Sequence, residues 1–115
     1  MAEQQEGYRV IITKPAQLSY YDILEYLYFY YSENGADEIA RELYEYPVQL
    51  ENYPNRGTQV DRLSSRPERF LFILYKRTEY ADIKIIYFVD EASKEVYVTD
   101  FFPTEMHPDK IIKRK

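Results

Sequence analysis

The run Ile83-Lys84-Ile85-Ile86-Tyr87-Phe88-Val89-Asp90 is rich in β-branched and aromatic residues and contains neither Gly nor Pro. A stretch this short with that composition predicts an extended strand rather than a helix. Arg69-Phe70-Leu71-Phe72-Ile73-Leu74-Tyr75-Lys76 precedes it and Glu95-Val96-Tyr97-Val98-Thr99-Asp100-Phe101 follows. The connections, Arg77 to Asp82 and Glu91 to Lys94, suit hairpins and are too short for the crossover that a parallel pair needs. The three segments therefore predict an antiparallel meander. Strand side chains alternate, so Ile83, Ile85, Tyr87 and Val89 share one face, with Lys84, Ile86, Phe88 and Asp90 on the other. Both faces are apolar at their centres, whereas a solvated face would alternate with polar residues. Each face therefore needs a cover.

Upstream, Tyr8 to Thr13 reads as a further strand that joins the meander and ends at Lys14-Pro15, because proline cannot donate to a ladder. Ser19-Tyr20-Tyr21-Asp22 has the form of a helix start, a hydroxyl with an acid three residues on. Ile23, Leu24, Leu27, Tyr28 and Tyr31 follow at helical spacing, and Asn34-Gly35 supplies a stop. A second helix is expected from about Ala36, with Ile39, Ala40, Leu43 and Leu50 on one side and Pro47 kinking or ending it. Tyr53 to Gly57 is a turn, and the polar stretch to Glu68 is loop.

Residues 1 to 7 are polar and expected to fray. The proline-punctuated Phe102 to Pro108 should not continue as strand, and 109 to 115 reads as a short helix or a basic tail. The whole, residues 1 to 115, is expected to be one α+β domain of two layers. Its order is β-α-α-β-β-β, a four-strand antiparallel platform with a helical hairpin across one face.

Composition narrows the function classes. There is no cysteine, so disulfides, thiolate metal sites and cysteine nucleophiles are excluded. No apolar run approaches a membrane span and the first residues lack the parts of a secretory signal, so the expectation is a soluble, cytoplasmic protein without a membrane partner. The net charge of −5 is uneven. Residues 1 to 54 carry ten acids against three cations, whereas 55 to 84 carry seven cations, Arg56, Arg62, Arg66, Arg69, Lys76, Arg77 and Lys84, against four acids. Overall acidity opposes nonspecific nucleic-acid binding, yet a local basic zone can engage phosphates or be plain solvated surface. Fourteen tyrosines suit core margins or interfaces, having an apolar ring and a polar tip.

Several landmarks together resemble the RelE/ParE superfamily, toxins of bacterial type II toxin–antitoxin modules, over about Tyr8 to Lys110. They are Tyr8 to Ala16; Ala40 and Leu43 through Leu50 to Tyr53-Pro54 and Gly57; Arg62-Leu63; Glu68-Arg69-Phe70; Ile83 to Glu91; and the final strand leading into Thr104-Glu105-Met106-His107-Pro108. The resemblance implies a toxin-like component bound by a cognate antitoxin that packs across its sheet or helices.

An exposed apolar sheet face would fit such a partner. The loop from Asn55 to Glu68, or a second copy of the chain in a homodimer, would be the plainer cover. If the chain is an enzyme, the resemblance implies a metal-independent endoribonuclease without cofactors, cutting ribosome-bound messenger RNA. That chemistry uses cations beside the phosphate and a proton donor for the leaving oxygen. The residues it points to are Arg69, Lys84 and His107, with Arg62, Arg66, Lys76 and Arg77 on the RNA.

This sequence departs from the family pattern at Leu71 and at Glu105, which stand where basic residues are common, and an anion there repels a phosphate. His107 reads equally as a turn residue before Pro108, and Tyr87 as packed in the sheet. Arg62, Arg66 and Arg69 form an anion clamp or pair with Asp61 and Glu68. The Asp90-Glu91 pair reads as a turn rather than a metal site. The alternatives are a noncatalytic protein-binding module of the same fold and a ParE-like inhibitor of DNA gyrase.

Overall fold

The structure is a computed structural model and describes residues 7–76 and 82–104. Strand β1 (Arg9–Ile12) leads into helix α1 (Lys14–Tyr30) and helix α2 (Glu33–Glu45), then a 3-10 segment over Tyr46–Glu51. Strands β2 (Thr58–Gln59), β3 (Phe70–Tyr75), β4 (Ile83–Asp90) and β5 (Glu95–Pro103) complete an α+β domain. They build one mixed five-stranded sheet in the order β1-β5-β4-β3-β2.

The expected meander is present: β3 and β4 are antiparallel, with Leu71 opposite Tyr87, and β4 and β5 are antiparallel, with Ile85 opposite Phe101. The platform is not wholly antiparallel, however. Strand β1 runs parallel to β5, with Val10 beside Val96 and Ile12 beside Val98. Alternation sets which face a strand buries but not its direction, and the long excursion through both helices satisfies the crossover requirement of a parallel pair. Bonds from Arg9 N to Lys94 O and from Thr13 N to Val98 O bracket the pairing, each 3.0 Å. The loop expected before Glu68 also contains a strand, β2, which the sequence reading missed because only two polar residues pair with β3.

The helix boundaries correct the sequence expectation too. Pro15 opens α1 instead of merely ending β1, since the missing N–H is unneeded in a first turn. Thr13 is the N-cap: its hydroxyl accepts from Ala16 N at 3.4 Å and donates to Val98 O at 2.8 Å, tying the helix start to β5. Ser32, not Asn34-Gly35, separates the helices, and its Oγ caps α2 by accepting from Gly35 N at 3.1 Å. Pro47 ends the α-helix as expected, where the backbone tightens into the 3-10 segment. Strand β5 runs through Pro103, two residues past its expected end.

The core lies between the helical hairpin and one sheet face. Ala16, Ile23 and Leu27 of α1, Ile39, Ala40 and Leu43 of α2, and Leu50 pack with Leu71, Ile73, Tyr75, Ile83, Ile85, Tyr87, Val96, Val98 and Phe101. Each buried aliphatic or aromatic side chain contributes roughly 1.5–3 kcal/mol. Tyrosines close the margin as their chemistry suggests: Tyr20 donates to Ala40 O at 2.8 Å and Tyr46 to Leu74 O at 3.1 Å. The described residues contain no helix long and apolar enough to cross a membrane.

Candidate functional site

The second sheet face carries Phe70, Phe72 and Leu74 of β3, Ile86 and Phe88 of β4, and Tyr97 and Phe102 of β5, as alternation from the buried set requires. Its rings meet one another: Phe70 and Phe88 lie edge-to-face at 5.5 Å, and Phe88 stacks on Tyr97 at 5.2 Å. Two cations sit on this face. Lys84 Nζ is 4.4 Å from the centre of the Phe72 ring, and the Arg62 guanidinium is 5.0 Å from that of Phe102.

Arg62 belongs to the turn Asp61–Leu63 just after β2, whereas Phe102 lies on β5, three strand positions away. That separation is about 14 Å at ordinary strand spacing. The loop must therefore cross the face, and Ile86 beneath is only 3% exposed. Part of the cover comes from the chain itself.

The basic residues singled out in the sequence do not converge. Lys84 is the cross-strand partner of Phe102, so Arg62 and Lys84 share one neighbourhood. Arg69, one residue before β3, is level with Val89, five residues of β4 away from Lys84, or about 17 Å of strand rise. It also acts on the opposite side, where its charge and that of Arg56 oppose the effect of burial on the Tyr87 phenol. Burial wins and pushes that phenol up to about 12. Tyr87 is completely buried, and its Oη accepts from Gly57 N at 3.0 Å, so it is a packing group that pins the turn before β2.

Arg66 is exposed in the loop, and Lys76, exposed beyond β3, borders a cleft with Glu42 and Glu45. Among the described residues no ion pair joins Arg62, Arg66 or Arg69 to Asp61 or Glu68; Arg9 and Glu95 form one across the β1–β5 edge. Arg77 and His107, and the departure at Glu105, lie outside the described residues. Asp90 Oδ1 accepts from Ala92 N at 3.1 Å and Ser93 N at 3.3 Å, forming the turn that Lys94 completes with φ 57°. No cluster of three metal-ligating side chains occurs among the described residues.

Tyr44, Val48 and Phe102 are exposed, but four exposed apolar side chains share one helix, α1. Leu18, Tyr21, Tyr28 and Phe29 are 57, 57, 46 and 63% exposed. At 100° per residue they fall on one stripe, opposite the buried Ala16, Ile23 and Leu27. Tyr28, expected on the packed face, is therefore outward, and its hydroxyl donates to Asp37. Sequence reasoning missed this stripe for two reasons. Starting the helix at Ser19 removed Leu18 from it, and one apolar face was sought in a helix that has two. No family model, no curated relative and no solved structure matches the chain.

Proposed function

We propose that this chain is a noncatalytic protein-binding module. The supporting observation is the outward stripe of α1, four large apolar side chains exposed along one line on the face away from the sheet. A helix apolar on both sides is ordinarily buried on both sides, and clustered exposed apolar surface marks an interaction site.

A photo-crosslinking amino acid at position 29, introduced into the full chain in its native cells, tests this. The expected result is a single partner protein that forms a complex again from purified components and loses it on Phe29→Asp, while the same probe at position 58 captures nothing. Recovery of the chain alone, or of nothing, from position 29 would end the proposal.

A toxin-like component of a type II toxin–antitoxin module, with a RelE/ParE-like fold, is the second reading. It is favoured by the element order, a strand and two helices ahead of an antiparallel meander. It ranks second because the parallel β1–β5 edge departs from the antiparallel platform expected with it. Arg69 and Lys84, the two cations its ribonuclease form would use at the phosphate, lie five residues of strand apart. Inducible expression with and without the neighbouring reading frame decides between the two. Growth arrest relieved by the neighbour supports the toxin, and unimpaired growth supports the module.

A further inference from the structure

The outward stripe of α1 has an internal spacing that says what fits it. Leu18, Tyr21, Glu25 and Tyr28 are separated by three, four and three residues, with Asp22 and Phe29 flanking them. That is the spacing of a helix–helix seam, into which a second helix sets side chains at heptad intervals. The hydrophobic line is broken at its centre by an acid, Glu25.

Charge on the surrounding surface selects among occupants. Four acids lie beside the stripe, Asp22 and Glu25 on α1 with Glu33 and Asp37 next to Tyr28, against two cations, Lys14 one turn before Leu18 and Arg41 near Tyr21. The hairpin as a whole, residues 14 to 45, has a net charge of −5, equal to that of the whole chain. A second copy docked through the same stripe would use the same patch on both subunits and set these acids against one another. Like charges facing across a helix pair oppose association. Anionic lipid and nucleic-acid phosphates meet the same repulsion.

We infer that the stripe is a docking seam for a basic amphipathic helix of a partner polypeptide. The partner presents apolar residues at heptad spacing to Leu18, Tyr21, Tyr28 and Phe29, and a Lys or Arg to Glu25. This rests on the protein-binding reading above and adds the chemistry of the partner. Electrostatic complementarity of this kind chiefly sets specificity and the rate of encounter, while the rings supply the buried area.

Two labelled 21-residue helical peptides with an identical leucine seam, one flanked by Lys and Arg and the other by Glu, are titrated by fluorescence anisotropy against the full-length protein. The cationic peptide is expected to bind at least tenfold more tightly, with the difference shrinking at high salt. Glu25→Lys is expected to shrink the preference at least threefold, and Phe29→Asp to abolish binding of both peptides with the thermal midpoint unchanged. Equal binding of the two peptides, binding of neither, or an unchanged preference in Glu25→Lys would overturn the inference. So would a wild-type dimer in sedimentation that Phe29→Asp dissociates, because a second copy would then own the seam. A crosslinked partner that depends on Phe29 but shows no charge preference would defeat this inference alone. Failure to find any partner at position 29 would remove the binding module with it.

Discussion

Gly57→Ala tests how tightly the turn before β2 is packed. A Cβ at this position would lie 2.6 Å from Tyr87 Oη, 2.7 Å from Phe72 O and 3.0 Å from Tyr87 Cε1. Neither neighbour yields easily: Phe72 is held in the sheet by pairing with both Thr58 and Ile86, and Tyr87 is fully buried. The turn itself must move, which strains the Gly57 N to Tyr87 Oη bond. Overpacking of this sort costs about 1–3 kcal/mol and weakening the bond about 0.5–1.5 kcal/mol. Alanine's lower unfolded-state entropy offsets about 0.4–1 kcal/mol.

The expected net loss is about 2 kcal/mol. At about 4 °C per kcal/mol for a chain of this size, the thermal midpoint falls by about 8 °C. Thermal and urea unfolding followed by circular dichroism reads the change. Gly35→Ala is the control, because its nearest neighbour, the capping Ser32 hydroxyl at 3.1 Å, need shift by only a few tenths of an ångström and α2 gains a better helix former. Its stability should stay within about 1 kcal/mol of wild type. In Gly57→Ala/Tyr87→Phe the closest clash is gone, so the combined loss should be smaller than the two single losses added. A Gly57→Ala protein melting at or above wild type, or strict additivity in the double variant, would refute the packing derived for this turn.

Thr13→Ala removes the cap of α1 and its link to Val98 together, and should cost about 1–2 kcal/mol in urea unfolding. Leu27→Ala, at the centre of the core, should cost about 2–5 kcal/mol, and Phe29→Ala, two residues on but outward, should change stability by less than about 0.5 kcal/mol. A large loss at Phe29 would show that its ring is packed within the fold, against its use in binding. For Tyr87 the native phenol titrates near 12 and the unfolded one near 10, so neutral tyrosine is favoured in the folded state. Its contribution is complete below about pH 10 and is lost as pH rises toward 12, amounting to as much as about 2–3 kcal/mol. Denaturation midpoints between pH 9 and 12 should therefore fall, and fall less steeply in Tyr87→Phe.

The meander was legible because its signal is local. Three runs of β-branched and aromatic residues were separated by gaps that admit only hairpins, and Leu71, Ile73 and Tyr75 faced Ile83, Ile85 and Tyr87 as alternation demands. Direction and edge pairing were not legible. Val10 and Ile12 would bury the same face whichever way β1 ran, and its partner lies across the whole chain in sequence. The start of α1 was not legible because Pro15 breaks a strand as readily as Thr13-Lys14-Pro15 spells an N-cap with proline in the first turn. The basic residues were legible as a zone but not as a site. Arg69 and Lys84 look adjacent as landmarks of neighbouring strands, yet register places them five residues apart.

That same register moves the functional question from the sheet to the helix. The apolar second face of the meander was expected to need a partner, but the loop carrying Arg62 crosses it and Lys84 lies over Phe72, so the chain shields part of it. Among the described residues the outward side of α1 has no such cover. Single exposed apolar residues are ordinary on any surface and require no explanation. Four of them on one line, with their opposite numbers Ala16, Ile23 and Leu27 buried against the sheet, are a second amphipathic pattern on the same helix. Folding uses the first pattern. The second contributes nothing to the isolated domain's core, and leaving it in water withholds burial worth roughly 1.5–3 kcal/mol per large side chain. A surface that the fold leaves unused, with Asp22, Glu25, Glu33 and Asp37 beside it, is what the proposed apolar and basic partner helix would complement.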